Sequence, residues 1–342
     1  MSDDRQLLRA LLAAIEEPDL AAELPDEPRL LEIARRHRLT PLLSIRCRGR
    51  LPRTLDDTCR RDHVLTVARH MALAAAAEEC VGALAAAGVQ TALLKGMAYE
   101  RRLYEAPGAR PTSDVDLLVR DGDRRAAFHA LSALGFEPRA ASPGFDDPDY
   151  HEVAWHRGGV EIDLHMALAP LVRCAIDYGE VWRQVRELAL GGARAFTLAP
   201  AHAVVFHALH MAIDHFDVPA LYLVDLARLA PDPATLATAA AAARAWRCER
   251  PLRTCVALAG AFQPRWTVAP TGAPDWAARR VIAGFGGAAG LSRPEQLVRK
   301  LAHFDAWTDV ARYTRVQAGR KARELFERHV RHRSARERLN LP

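Results

Sequence analysis

Lysine is nearly missing from this chain. Of 47 Lys and Arg residues among 342, only Lys95, Lys300 and Lys321 are lysines. Where arginine carries almost all the positive charge, a lysine is either there by chance or marks a place that a planar guanidinium fork would not serve: its compact ammonium on a flexible stem makes point contacts. Cysteine is sparse as well. Cys47, Cys59, Cys80, Cys174, Cys248 and Cys255 form no C-x-x-C pair, which argues against a zinc site or a disulfide framework and leaves them as small core residues. No apolar run reaches membrane length; the alanine-rich stretch from Met71 to Ala77 is broken by Glu78 and Glu79,. The opening residues MSDDRQLLRALL lack the basic-then-apolar pattern of a signal peptide,. A cytoplasmic protein with no membrane partner is therefore expected.

What is present is ordinary in bulk. Half of the residues are hydrophobic and 26% are charged, and the net charge is +5. That balance permits acidic substrates without arguing for nucleic acid, and the length allows two or three packed units.

The pattern divides in three. Residues 1–88 read as helices, with Leu7, Leu8, Leu11, Leu12 and Ile15 at helical spacing and a long alanine-rich helix from Leu55 to Ala87 closed by Gly88,. From 89 to 198 the character changes to a small α/β core. Val89–Leu94 reads as a strand, Met97–Tyr104 as a helix, Val115–Val119 as a strand, and Asp121–Leu134 as a helix capped by Gly135. Tyr150–His156 and Val160–His165 read as a hairpin turning at Arg157-Gly158-Gly159, followed by a helix over Ala175–Val185 and a strand over Arg194–Leu198,. Residues 199–342 return to helix and end in a basic helix over Thr308–Leu339. The expected fold class is α+β, a small mixed sheet flanked by helical regions.

Chemistry concentrates in two stretches of the core. Asp114 and Asp116 stand two apart at the mouth of a strand, so their side chains share a face. Converging carboxylates repel unless a cation or a proton sits between them, and Mg²⁺ is commonly held by one or two carboxylates plus substrate phosphates. Asp163, on the neighbouring predicted strand between Ile162 and Leu164, could reach the same point. Lys95-Gly96 fits the other half of such a site: glycine lets backbone approach a phosphate, and the next helix offers its N-terminal N–H groups. Ser113 could add a hydroxyl, and Arg110 a bidentate phosphate contact. A D-x-D pair alone is common on surfaces, and Lys-Gly alone is most often a turn. It is their order on these elements that points to a site.

Taken together, Leu94-Lys95-Gly96, Arg110 through Asp116 with Leu117-Leu118-Val119, and Asp163-Leu164-His165 resemble the polymerase-β-type nucleotidyltransferase superfamily. Within it they are most similar to the bacterial branch labelled uncharacterised nucleotidyltransferase. The resemblance covers about residues 90–168 and continues more loosely through His207, His210 and Asp225-Leu226. It implies transfer of a nucleoside monophosphate from an NTP to an acceptor hydroxyl on a small molecule, peptide or protein. It also implies Mg²⁺, with two ions expected and Mn²⁺ as a substitute, on Asp114, Asp116 and Asp163. Asp163 would act as general base, and Lys95, Gly96, Arg110 and Ser113 would hold the triphosphate. One residue departs from the pattern: Met97 follows Gly96 where the superfamily commonly has serine.

Three further features carry alternatives. His207 and His210, three apart on one predicted helix, share a face; with His165 they are candidates for the acceptor side. The arginine-rich C-terminal helix raises an RNA partner, and so an RNA- or tRNA-modifying nucleotidyltransferase toxin, against the plainer reading of a solvated terminal helix. Met97 raises a non-catalytic member of the fold that binds nucleotides or a partner.

Overall fold

The protein is described by a computed structural model covering residues 4–139, 151–170, 173–263, 266, 273–287, 291–319 and 321–322. Three short helices open the chain: α1 (Asp4–Glu16), α2 (Pro28–Arg36) and α3 (Thr40–Arg46). Each of the latter two takes a proline in its first turn, where a missing N–H costs nothing,. The leucines of α1 and Ile15 are buried, as their helical spacing requires. Then comes α4 (Arg53–Ala86), 34 residues long. It stops at Gly88, whose φ of +76° is the left-handed cap that glycine supplies,.

The sheet follows. In chain order its parts are β1 (Ala92–Leu93), α5 (Lys95–Leu103), β2 (Val115–Leu118), α6 (Arg124–Ala133), β3 (Glu137–Pro138), β4 (Glu152–Arg157), β5 (Val160–His165), α7 (Tyr178–Gln184), β6 (Arg186–Leu190) and β7 (Ala193–Thr197). Among the described residues the seven strands lie in the order β3-β4-β5-β2-β1-β7-β6. β2 runs parallel to β5 and β1 parallel to β7, and the remaining pairs are antiparallel. A mixed sheet flanked by helices is the α+β arrangement expected.

Local differences have local causes. β1 is two residues, not six, because Val89 N–H still bonds back to Leu84 O as part of the α4 cap and Lys95 already turns into α5. α7 starts later than expected because Asp177 caps it, its side chain accepting from Glu180 N–H,. β6 escaped the sequence reading: Arg186-Glu187-Leu188-Ala189-Leu190 is an edge strand with only Leu190 buried, so it carries no hydrophobic alternation,.

The C-terminal layer contains α8 (Pro200–Ile213), α9 (Leu221–Leu229), α10 (Pro233–Ala245), α11 (Glu249–Phe262), α12 (Trp276–Gly284) and α13 (Arg293–Ala302). A further helix covers 307–319. Most of the basic face expected on Thr308–Leu339 (residue 320 and residues 323–338) lies outside the described residues. One apolar cluster runs from Leu7 through the sheet to Phe285. Among the described residues no helix is long and apolar enough to cross a membrane.

Candidate active site

The register of the sheet builds the site. Asp116 on β2 lies directly beside Asp163 on β5, and His165 follows two residues later on the same face,. The β4–β5 hairpin closes Arg157 against Val160, and counting back from that turn sets Glu152 opposite His165. Four polar side chains thus share one face of three strands, with Asp114 just ahead of β2.

Their contacts form a chain of alternating charge. Lys95 Nζ is 2.7 Å from Asp116 Oδ1, and His165 Nε2 is 3.0 Å from the same oxygen. His165 Nδ1 lies 3.3 Å from Glu152 Oε2. Lys95 reaches this position as the first residue of α5, where its φ is +33°. A left-handed backbone costs a non-glycine residue roughly 1–2 kcal/mol, so the surrounding contacts hold Lys95 in a strained place.

Gly96 is required by its neighbours. A Cβ there would collide with Thr112 Oγ1 and stand 3.5 Å from Arg110 Nη1. Only glycine lets the Arg110–Ser113 loop close over the start of α5. Met97, next in line, is 1% exposed and belongs to the apolar cluster. The position that carries serine in the superfamily is here part of the core.

Other expected residues fall in different places. Arg110 is buried against α9: Nε lies 2.9 and 3.1 Å from the two Asp225 oxygens, and Nη2 donates to Oδ2 at 2.7 Å. Tyr104 adds its hydroxyl to Asp225 Oδ1 at 2.7 Å. Arg110 still borders the cleft, but two of its three guanidinium nitrogens are committed. Ser113 is exposed on the rim, its carbonyl accepting from Arg69 Nη2 at 2.7 Å. His210 faces the cleft, with Nε2 3.3 Å from the Tyr222 hydroxyl. His207 does not face it. His207 is fully buried, donates from Nε2 to Tyr222 O at 2.8 Å and stacks on the Tyr222 ring.

Electrostatics separate the carboxylates. Burial alone would raise the Asp116 carboxyl, but the Lys95 ammonium and the His165 hydrogen bond outweigh it and hold it well below the usual range,. Burial raises Asp163, and the neighbouring Asp116 charge raises it further, to about 7. Asp114 is raised for the same two reasons. Burial opposes a charged His165, yet the Asp116 hydrogen bond and the Glu152 charge lift it above its ordinary value. Burial, then the Lys95 charge, drives His210 well below its ordinary value, so it is neutral.

The cleft encloses about 300 Å³. Beyond the expected residues, Arg38, His151, Glu152, Asp214 and Tyr222 border it. Glu152 was legible in the hairpin register and His151 directly precedes it; Arg38, Asp214 and Tyr222 arrive from distant helices and loops. The oxygen-rich donor set matches a hard divalent cation. Among the described residues, though, no three His, Cys, Asp or Glu side chains already gather around one point as a metal cage. The contact nearest to a bound cation is the ammonium of Lys95 on Asp116.

A mixed sheet that sets Asp116 beside Asp163, with Asp114 just ahead of its strand and a helix opening on Lys95-Gly96, fits a nucleotidyltransferase. The profile of the family described as "Uncharacterised nucleotidyltransferase" matches residues 23–264, and the chain belongs to that family. No curated protein matches the sequence. Two solved structures align over about half of the chain. One is the solution structure of the antibiotic-resistance factor ANT(2'')-Ia, at 13% identity and TM-score 0.38 over 51% of this chain and 92% of that one. The other is an antigenic nucleotidyltransferase-like protein from Paracoccidioides brasiliensis, at 16% identity and TM-score 0.36 over 56% and 88%. Similarity this low says nothing of substrate.

Proposed function

We propose that the cleft transfers a nucleoside monophosphate from an NTP to a hydroxyl, or a chemically similar group, on a small molecule, peptide or protein. The observation that carries this reading is the register setting Asp116 beside Asp163, with Asp114 two residues ahead of Asp116. Asp114, Asp116 and Asp163 would hold Mg²⁺, or Mn²⁺ in its place; when bound, such ions supply neutralising charge to the transferring phosphoryl group. For Asp116 this requires Lys95 to give up Oδ1. The released ammonium stays within reach of a triphosphate resting at the N-terminus of α5, where Gly96 borders the cleft,. Ser113 adds a rim hydroxyl, and Arg110 contributes through Nη1 alone. Asp163 takes the acceptor's hydroxyl proton. The acceptor oxygen bonds to the α-phosphorus, the bond from that phosphorus to the bridging oxygen breaks, and pyrophosphate leaves. His165 and Glu152 fix the orientation of Asp116.

The test is turnover of each labelled NTP with Mg²⁺ and acceptor pools that include total RNA. Pyrophosphate release and label transfer are expected, and Asp116→Asn should lower them at least about 10³-fold. A correctly folded protein that transfers label from no NTP to any pool ends this reading.

One observation favours a second reading, a nucleotide-binding member without turnover: Asp116 is already engaged by Lys95 and His165, and Met97 offers no hydroxyl. Calorimetry separates the two, since binding of NTP and Mg²⁺ without pyrophosphate release belongs to the second.

A further inference from the structure

Among the described residues, helix α4 is packed along one flank only. On that flank Arg69 donates to Ser113 O and Gly159 O, and His63 Nε2 lies 3.1 Å from Pro107 O. Gly108, at φ +75°, has no room for a Cβ beside Val67. The opposite flank carries Val64, Leu65, Ala68, Met71, Ala72 and Ala75, all exposed. Val64, Leu65 and Met71 are 68%, 69% and 66% exposed, and among the described residues they are three of only seven exposed large apolar side chains. At 3.6 residues per turn the six positions fall within an arc of about 120°. No polar side chain interrupts that arc between Arg61 and Glu78.

The order along this face is specific. Arg61, Leu65, Ala68, Ala72, Ala75 and Glu79 recur at alternating steps of four and three, the seam spacing of two helices wound together. Reversed about residue 70, the seam maps onto itself. Arg61 then faces Glu79 of a second copy, Leu65 faces Ala75, and Ala68 faces Ala72. Unlike charges meet at both ends, a large side chain meets a small one, and the central alanines allow close approach of the axes. Arg61 Nη2 donates to Thr58 Oγ1 at 3.3 Å. Glu79 pairs with Arg157 of its own chain and keeps 43% of its side chain exposed.

We infer that the outer face of α4 is a two-fold interface, on which a second copy of this chain packs antiparallel. Self-complementarity selects the second copy over an unrelated partner, which would not need one helix to match its own reversal in both size and charge. The interface uses none of the residues placed in the cleft, although the inner flank of the same helix secures the loop that ends at Ser113.

Sedimentation equilibrium of the full chain over roughly 1–100 µM tests this. The expected result is a dimer for the wild type and a monomer for the Leu65→Glu, Met71→Glu double variant, with unchanged circular dichroism. Arg61→Glu sets like charges opposite each other at both ends and should raise the dimer dissociation constant about tenfold or more. Peroxide should oxidise Met71 readily in the monomeric Leu65→Glu single variant and slowly in the wild-type dimer. A wild-type monomer throughout the range overturns the proposal. So does a dimer that both glutamates leave intact. A monomer whose Met71 resists peroxide also overturns it, because another segment of the same chain would then cover the face.

Discussion

Two buried ion pairs border this cleft, one through Lys95 and Asp116 and one through Arg110, and they are built differently. Arg110 and Asp225 meet through three contacts of 2.7–3.1 Å that use both carboxylate oxygens, and Tyr104 adds a fourth. Lys95 and Asp116 meet at one oxygen, 2.7 Å apart, and share it with His165. Both pairs are desolvated, so each charge needs its partner. The arginine pair is closed on itself: its geometry is bidentate and leaves Asp225 fully buried,. The lysine pair is a point contact, which in the proposed function another cation would replace. The first pair joins the Arg110 loop to α9, whereas the second joins the start of α5 to β2.

The largest expected effect comes from breaking the closed pair. Asp225→Ala would leave the Arg110 guanidinium buried without its carboxylate and the Tyr104 hydroxyl without an acceptor. A loss of about 3–5 kcal/mol in unfolding free energy follows, measurable by urea denaturation. If Asp225→Ala cost less than about 1 kcal/mol, the pair would not be an anchor, and the contrast with Lys95 would collapse.

The next effect has the opposite sign. Asp163 is raised to about 7 in the folded protein by burial and by Asp116, against about 3.9 in an unfolded chain. Below pH 4 both states hold the proton and the group is neutral in the balance. Between roughly pH 4 and 7 the folded state keeps a proton that the unfolded state has released, so this group's contribution to stability falls as pH rises and levels off above 7. Asp163→Asn removes that slope. In metal-free protein at pH 8 it should be more stable than wild type by on the order of 1–3 kcal/mol, with little gain at pH 4, while transfer is lost. Urea curves at the two pH values decide it; a destabilised variant at pH 8 would mean that Asp163 is not a strained carboxylate.

The sequence reveals some of this and hides the rest, for physical reasons. The aspartates on β2 and β5 were readable because strand periodicity is local: side chains two apart share a face, and a glycine turn fixes a hairpin's register. The same counting reaches Glu152 from His165. Arg110 and Asp225 lie 115 residues apart, and no local pattern links them, so Arg110 read as a phosphate ligand when much of its fork is already committed. His207 and His210 look equivalent on a helical wheel. The packing of α9 separates them, taking His207 into the core through the Tyr222 carbonyl and leaving His210 at the cleft. Lys95 stood out by its rarity and by the glycine that follows it. Its contact in the folded protein is Asp116, a partner that the sequence places only once β1 and β2 are known to pair.

The smallest expected change in stability is also the sharpest test of the contrast. Lys95→Arg keeps a positive charge opposite Asp116, so unfolding free energy should move by less than about 1 kcal/mol. The fork of an arginine would engage both Asp116 oxygens, as Arg110 engages Asp225, and convert an exchangeable contact into a closed one. Transfer should then fall about 10–100-fold with the fold intact, because Asp116 no longer gives up its oxygen and the guanidinium no longer moves to the triphosphate. Metal titration of the variant without nucleotide gives an independent readout, and Mn²⁺ should bind more weakly than in wild type. If Lys95→Arg turned over like wild type and bound Mn²⁺ equally well, the rarity of lysine at this place would have no functional meaning, and the two ion pairs would differ in shape alone.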